Sequence, residues 1–321
     1  VIEVTDLQPD TLEWIARELQ PTSPVRGKEF TVKAEGLSIR FACLGDFPGS
    51  YNTEESIVPY DSLEQCAEYA RQLSNPLQRW HYLQLGSMSM LKEKGIDWKS
   101  ILGDRPLEFV LFDKSTLTKY PGCEQENLPP WWEGRNIGDV FFFTYGWIND
   151  YQSHQERFNP GKGPYERLIA AGGAHEILHI LHRTRVGPDV MYALFLEEGP
   201  NIIVGDDLAD LPSDDLGIYP EYILDPLQCN NVTKLDKRRF RQNIVYQWSA
   251  HFFDHLVKEV SIRNNVTYKQ AFGDIFMHMA DEKYIMHIGE HRIFDHELFF
   301  KDMYGVEVDL EFAKLHPPYG G

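Results

Sequence analysis

His175, Glu176 and His179 stand in the order H-E-x-x-H within an apolar, helix-compatible run from Leu168 to Leu181. Residues four apart on an α-helix project from the same face. Two imidazoles at that spacing can hold one metal ion, and the glutamate beside the first can take a proton from water held at that ion. This set of groups suits hydrolysis of a carbonyl compound, most often a peptide.

A catalytic zinc ion takes three protein ligands and keeps a fourth position open. The pattern H-E-x-x-H-x-x-G-x-x-H, in which a third histidine completes the set, fails here: His182 holds the glycine position and Arg185 the last histidine position. The other option is a carboxylate from a following helix. Leu196-Glu197-Glu198-Gly199 offers one at Glu198, with eighteen residues between it and His179. A turn through Gly187-Pro188 and an antiparallel returning helix would bring it back beside the histidines. Glu197 points about 100° away around a helix, so only one of the two acids can readily ligate.

H-E-x-x-H, eighteen residues, then a glutamate in the local form L-E-E-G resembles the gluzincin metallopeptidases. The closest pattern is that of the aminopeptidase N and leukotriene A4 hydrolase group. The resemblance implies one zinc ion on His175, His179 and Glu198, with Glu176 as general base. Tyr246 through Leu256 is similar to that family's Y-x-K-G-x-x-x-x-x-x-L helix, with Ser249 where the glycine would stand. It implies that Tyr246 donates to the oxyanion of the transition state; His251 and His255 are the alternative donors. Leu298 to Leu310 resembles the closing helix of such domains, and the likeness covers roughly residues 105 to 321. The G-x-M-E-N segment that anchors a free α-amino group in those aminopeptidases is absent; Gly138 to Thr144 occupies its place. An endopeptidase acting on a peptide or protein is therefore expected over an aminopeptidase.

Two other functions remain open. One is a zinc-dependent hydrolase of a small-molecule amide or epoxide, for which Trp131-Trp132, Trp147 and Tyr151 would line a closed pocket. The other is a non-catalytic binding module on a peptidase scaffold, against which the intact ligands and base argue.

The expected fold is α+β: a zincin (thermolysin-like) catalytic domain with a mixed β-sheet, an active-site helix and a mainly helical C-terminal subdomain. Residues 1–104 read as an accessory mixed α/β region. Within 105–321, residues 105–205 hold the sheet and metal helices, and 206–321 form the helical subdomain. Apolar periodicity predicts helices over 12–19, 62–73, 77–94, 165–183, 190–205, 236–260, 268–281 and 295–304. Alternation predicts a strand pair over 30–44 broken at Glu35-Gly36, and strands over 107–112 and 139–145. Phe141-Phe142-Phe143 reads equally as a buried core strand or as a sheet edge on which an extended peptide lies. His182 is expected in the core or behind the ligands, and Asp206 as a candidate partner of a ligand histidine.

The net charge of −18 argues against a nucleic-acid surface. No apolar run approaches the roughly 18 residues that span a bilayer. The four cysteines, Cys43, Cys66, Cys123 and Cys229, show no C-x-x-C spacing and leave disulfides or buried thiols open. The sequons at Asn231 and Asn265 fit a secreted protein slightly better than a cytoplasmic one. Oligomeric state is not readable.

Overall fold

The computed structural model describes residues 2–6, 27–34, 37–44, 63–73, 76–112, 134–137, 140–144, 165–187, 189–205, 221–227 and 239–315. The expected helix over 12–19, Trp131-Trp132, Trp147, Tyr151, Asp206, Cys123 and Cys229 lie outside them. Contacts divide the chain into two units, residues 1–89 with 98–181 and residues 90–97 with 182–321.

The first unit is built on a mixed sheet. Its strands are β1 (Ile2–Asp6), β2 (Gly27–Ala34) and β3 (Leu37–Leu44), followed by helices α1 (Leu63–Gln72), α2 (Pro76–Glu93) and α3 (Trp98–Leu102). Then come β4 (Leu107–Phe112), β5 (Gly134–Ile137), β6 (Val140–Thr144) and the long helix α4 (Tyr165–Val186). The strand order is β1-β2-β3-β4-β6-β5. Neighbours β1 to β3 pair antiparallel, whereas β3 with β4 and β4 with β6 are parallel. Parallel neighbours require a crossover of a dozen or more residues, and α1 to α3 supply it between β3 and β4. Ile39, Ala42, Leu107, Phe109 and Val110 are buried along β3 and β4. The strand carrying Phe141-Phe142-Phe143 is not a sheet edge: β6 pairs with β4 on one side and antiparallel with β5 on the other. Among the described residues, β5 stands at that end of the sheet and β1 at the other.

The second unit is mainly helical. It contains β7 (Val190–Met191), α5 (Leu194–Glu197), α6 (Gly199–Gly205), α7 (Arg239–Asn264), α8 (Tyr268–His278), β8 (Ile285–Ile288), β9 (His291–Phe294), α9 (His296–Tyr304) and α10 (Val308–Leu315). A small sheet runs in the order β7-β9-β8. Phe195, Phe252, Phe253, Phe272, Phe299 and Tyr284 fill the core. The single helix expected over 190–205 is instead a short strand and two helices. Pro200 accounts for the break, because a proline has no N–H to donate back to residue 196 and its ring crowds that carbonyl. A proline is tolerated in a first helical turn, which is where it stands in α6.

Cys43 and Cys66 are buried free thiols. Burial holds the Cys43 thiol far above the ordinary cysteine value and pushes that of Cys66 up to about 12, so both stay protonated and inert. Among the described residues, no helix is long and apolar enough to cross a membrane.

Candidate metal centre

The helix that bears the motif is buried nearly all round. Ile169, Ala170, Ala174, Ile177, Leu178 and Leu181 are inaccessible to solvent, which is why α4 is apolar without being amphipathic. Two consecutive glycines in a helix interior are unfavourable by about 1 kcal/mol each relative to alanine. At Gly173 the reason for one is visible: a Cβ there would stand 2.2 Å from Gln84 Oε1 and 2.6 Å from Ser87 Oγ of α2. Ser87 Oγ also donates to the Ala170 carbonyl at 2.7 Å. The helix α2 thus lies directly on the turn of α4 that precedes His175.

The two imidazoles project together, with ring centroids 5.1 Å apart and planes at 71°. His179 is buried, and His175 and Glu176 are half-buried. The helix runs on to Val186. Its last turns meet the following segment. The His182 ring packs 4.3 Å from that of Tyr192 and 5.8 Å from that of Phe276, so His182 is an aromatic-core residue. Arg183 Nη2 lies 3.4 Å from Glu197 Oε1. Arg185 Nη1 donates to the Phe276 carbonyl at 3.1 Å.

Glu198 stands at the corner between α5 and α6. Its N–H donates to the Leu194 carbonyl at 2.9 Å and its own carbonyl accepts from Ile202 N at 3.0 Å. The buried Asn201 side chain donates to the Glu197 carbonyl at 3.1 Å. Gly199 presses onto α7: a Cβ there would lie 2.8 Å from both the Ser249 carbonyl oxygen and Phe253 Cβ. The corner is therefore fixed on two sides, and the Glu198 carboxylate is directed by it, with Oε2 shielded from solvent.

One donor atom from each of His175, His179 and Glu198 lies within 4.8 Å of the other two. Two nitrogens and one carboxylate oxygen are a donor set suited to a catalytic zinc ion. All three residues singled out from spacing are thus brought together, and Glu176 follows His175 on the same helix.

Tyr246 is half-buried on α7. It precedes Ser249 by three residues and so shares the helix face that meets Gly199, one turn earlier. His251 and His255 fall on the other side of α7, since two residues from Ser249 is about 200° of rotation and six is about 240°. His255 Nε2 is 3.1 Å from Glu311 Oε2. His255, Glu259 and Glu311 form a second cluster of metal-type side chains. There the protein supplies its own cations: Arg263 reaches Glu311 at 2.9 Å and Lys314 at 2.7 Å. Burial alone would raise the Glu311 carboxyl, yet hydrogen bonds from Lys314 and His255 hold it below its ordinary value.

Sequence reasoning missed Arg183 and Asn201 as neighbours of the candidate ligands, and missed the pairing of Arg183 with Glu197. The signal for Arg183 was present, four residues after His179 on the same face; its partner on another helix was not.

Comparison with family models, with curated proteins and with solved structures finds no match to this chain.

Proposed function

We propose that the chain is a zinc-dependent metallopeptidase of gluzincin type, with a zincin-like catalytic region, that cleaves peptide bonds within a chain in preference to removing N-terminal residues. The observation that supports it is the approach of His175, His179 and Glu198 donor atoms to within 4.8 Å, with Glu176 in the same helical turn. Zinc held by these three side chains would polarise the substrate carbonyl and lower the pKa of water toward about 7.

The chain's own residues do the rest. Glu176 takes a proton from the attacking water and delivers it to the leaving nitrogen, so the amine departs neutral. The oxyanion formed from the carbonyl needs a donor, and the Tyr246 hydroxyl is assigned that role. The buried surroundings of His179 exclude bulk water and strengthen these interactions.

The test is elemental analysis of the purified protein together with hydrolysis of unstructured polypeptides. One zinc per chain, cleavage within the chain, and loss of cleavage in Glu176→Gln with zinc retained are expected. A protein that hydrolyses peptides without zinc, or a Glu176→Gln variant of full activity, would overturn the proposal.

A further inference from the structure

Arg183 and Glu197 belong to no ligand set, yet they lie where the two ligand-bearing segments meet. Counting along α4, His175, His179 and Arg183 are at i, i+4 and i+8, within roughly 80° of arc. The guanidinium Nη2 of Arg183 is 3.4 Å from Glu197 Oε1, with the two side chains 29% and 19% exposed. Glu197 is the residue immediately before Glu198.

Two consequences follow from this placement. Glu198 is preceded by a second carboxylate that could compete for a metal ion, and the Arg183 guanidinium engages it. A guanidinium pairs with a carboxylate in a fixed planar geometry, unlike an ammonium. The pair also ties the last turns of α4 to α5, while Asn201 holds the Glu197 carbonyl from the other end. Residue 197 is thus gripped at both its side chain and its backbone, and the orientation of residue 198 follows.

We propose that Arg183 and Glu197 form a positioning pair that makes Glu198, and not Glu197, the third metal ligand. The inference rests on the zinc-site reading above. Residues that orient metal ligands without touching the metal change affinity by about 10- to 100-fold when removed.

The experiment is competition for zinc between the protein and a chromophoric chelator, for wild type, Arg183→Ala, Arg183→Lys, Glu197→Gln and Glu198→Gln. Visible spectra of the cobalt(II)-loaded proteins are recorded alongside. The expected result is one zinc in wild type, about 10- to 100-fold weaker binding in Arg183→Ala with an altered cobalt spectrum, and partial recovery in Arg183→Lys. Melting of the metal-free proteins shows whether a variant is folded; if Arg183→Ala is not, Glu197→Gln decides. Zinc affinity within twofold of wild type in the folded variants, with an unchanged cobalt spectrum, would overturn the positioning role while leaving the zinc site standing. A wild type that takes up no zinc overturns both, and so does a Glu198→Gln variant that binds as tightly as wild type.

Discussion

Gly199 lies so near Ser249 that a Cβ on it would be 2.8 Å from the Ser249 carbonyl oxygen, a helix backbone atom that cannot rotate away. The close approach seats the α5–α6 corner on α7 and couples Glu198, the proposed third ligand, to the helix that carries Tyr246. Glycine to alanine within a helix ordinarily stabilises by up to about 1 kcal/mol. Here the sign reverses, because the methyl overpacks a backbone contact, at a cost of about 1–3 kcal/mol. Gly199→Ala is expected to lower the urea midpoint without a change in m-value, and to weaken zinc uptake by the folded protein. A raised midpoint would contradict the packing of α6 on α7.

The contact between Gly173 and Gln84 makes a sharper prediction, since the clashing atom belongs to a side chain. Gln84 is fully buried, so its amide has nowhere to go when a methyl arrives 2.2 Å from Oε1. Gly173→Ala should destabilise by about 1–3 kcal/mol. In the Gln84→Ala background the clash with the amide is gone while the approach to Ser87 Oγ at 2.6 Å remains, so Gly173→Ala should cost clearly less than it does in the wild type. A double-mutant cycle measures the difference as a coupling energy. A coupling near zero would show that the two side chains do not compete for this space.

Tyr246 tests the chemistry and not the packing. Removing one oxyanion donor typically costs about 10²–10³ in kcat. Tyr246→Phe is expected to fall in that range, with KM and zinc content close to wild type. A kcat within threefold of wild type would remove Tyr246 from the mechanism, and the face of α7 that meets Gly199 would then have to be searched for another donor.

The elements legible in the sequence are those whose signal is local. The apolar run through His175 and the spacing of α1, α2, α8 and α9 place those helices within a few residues of where they lie, and β4 coincides with its expected span of 107–112. The pairing of His175 with His179 on α4 was legible for the same reason, because residues i and i+4 share a face whatever the rest of the chain does. What escaped depends on distant partners. The strands β7, β8 and β9 are two to four residues long, too short to display alternation. β5 reads Gly-Arg-Asn-Ile, with no apolar period, yet it is the strand that covers β6. The sheet joins β1 to β3 with β4 and β6 across residue 104, a pairing between segments far apart in sequence. Arg183 beside Glu197 and Gln84 beside Gly173 are contacts of the same long-range kind.

His296 and Glu297 are neighbours whose titrations act on stability in opposite directions. Burial is the chief cause of both shifts. It takes the His296 imidazole, edge-on to Phe195 at 5.3 Å, from 6.5 down to about 4 against the pull of Asp295, Asp309 and Asp225. It raises the Glu297 carboxyl from 4.5 to about 7, helped by the charge of Asp309 and a hydrogen bond with it. A depressed histidine adds stability that is complete above 6.5 and is lost as the pH falls through 4. A raised carboxyl adds stability that is complete below 4.5 and is lost as the pH rises through 7. Between 4.5 and 6.5 the two slopes oppose each other in the wild type. Glu297→Gln removes the falling contribution, so its stability relative to wild type should climb from pH 4.5 to 7 and then level. His296→Gln removes the rising one, so its stability relative to wild type should decline from pH 4 to 6.5. Urea unfolding of the three proteins at half-unit steps from pH 4 to 8 reads both slopes directly. Parallel profiles for wild type and Glu297→Gln would mean that the Glu297 carboxyl is not raised in the folded protein by its burial and by Asp309.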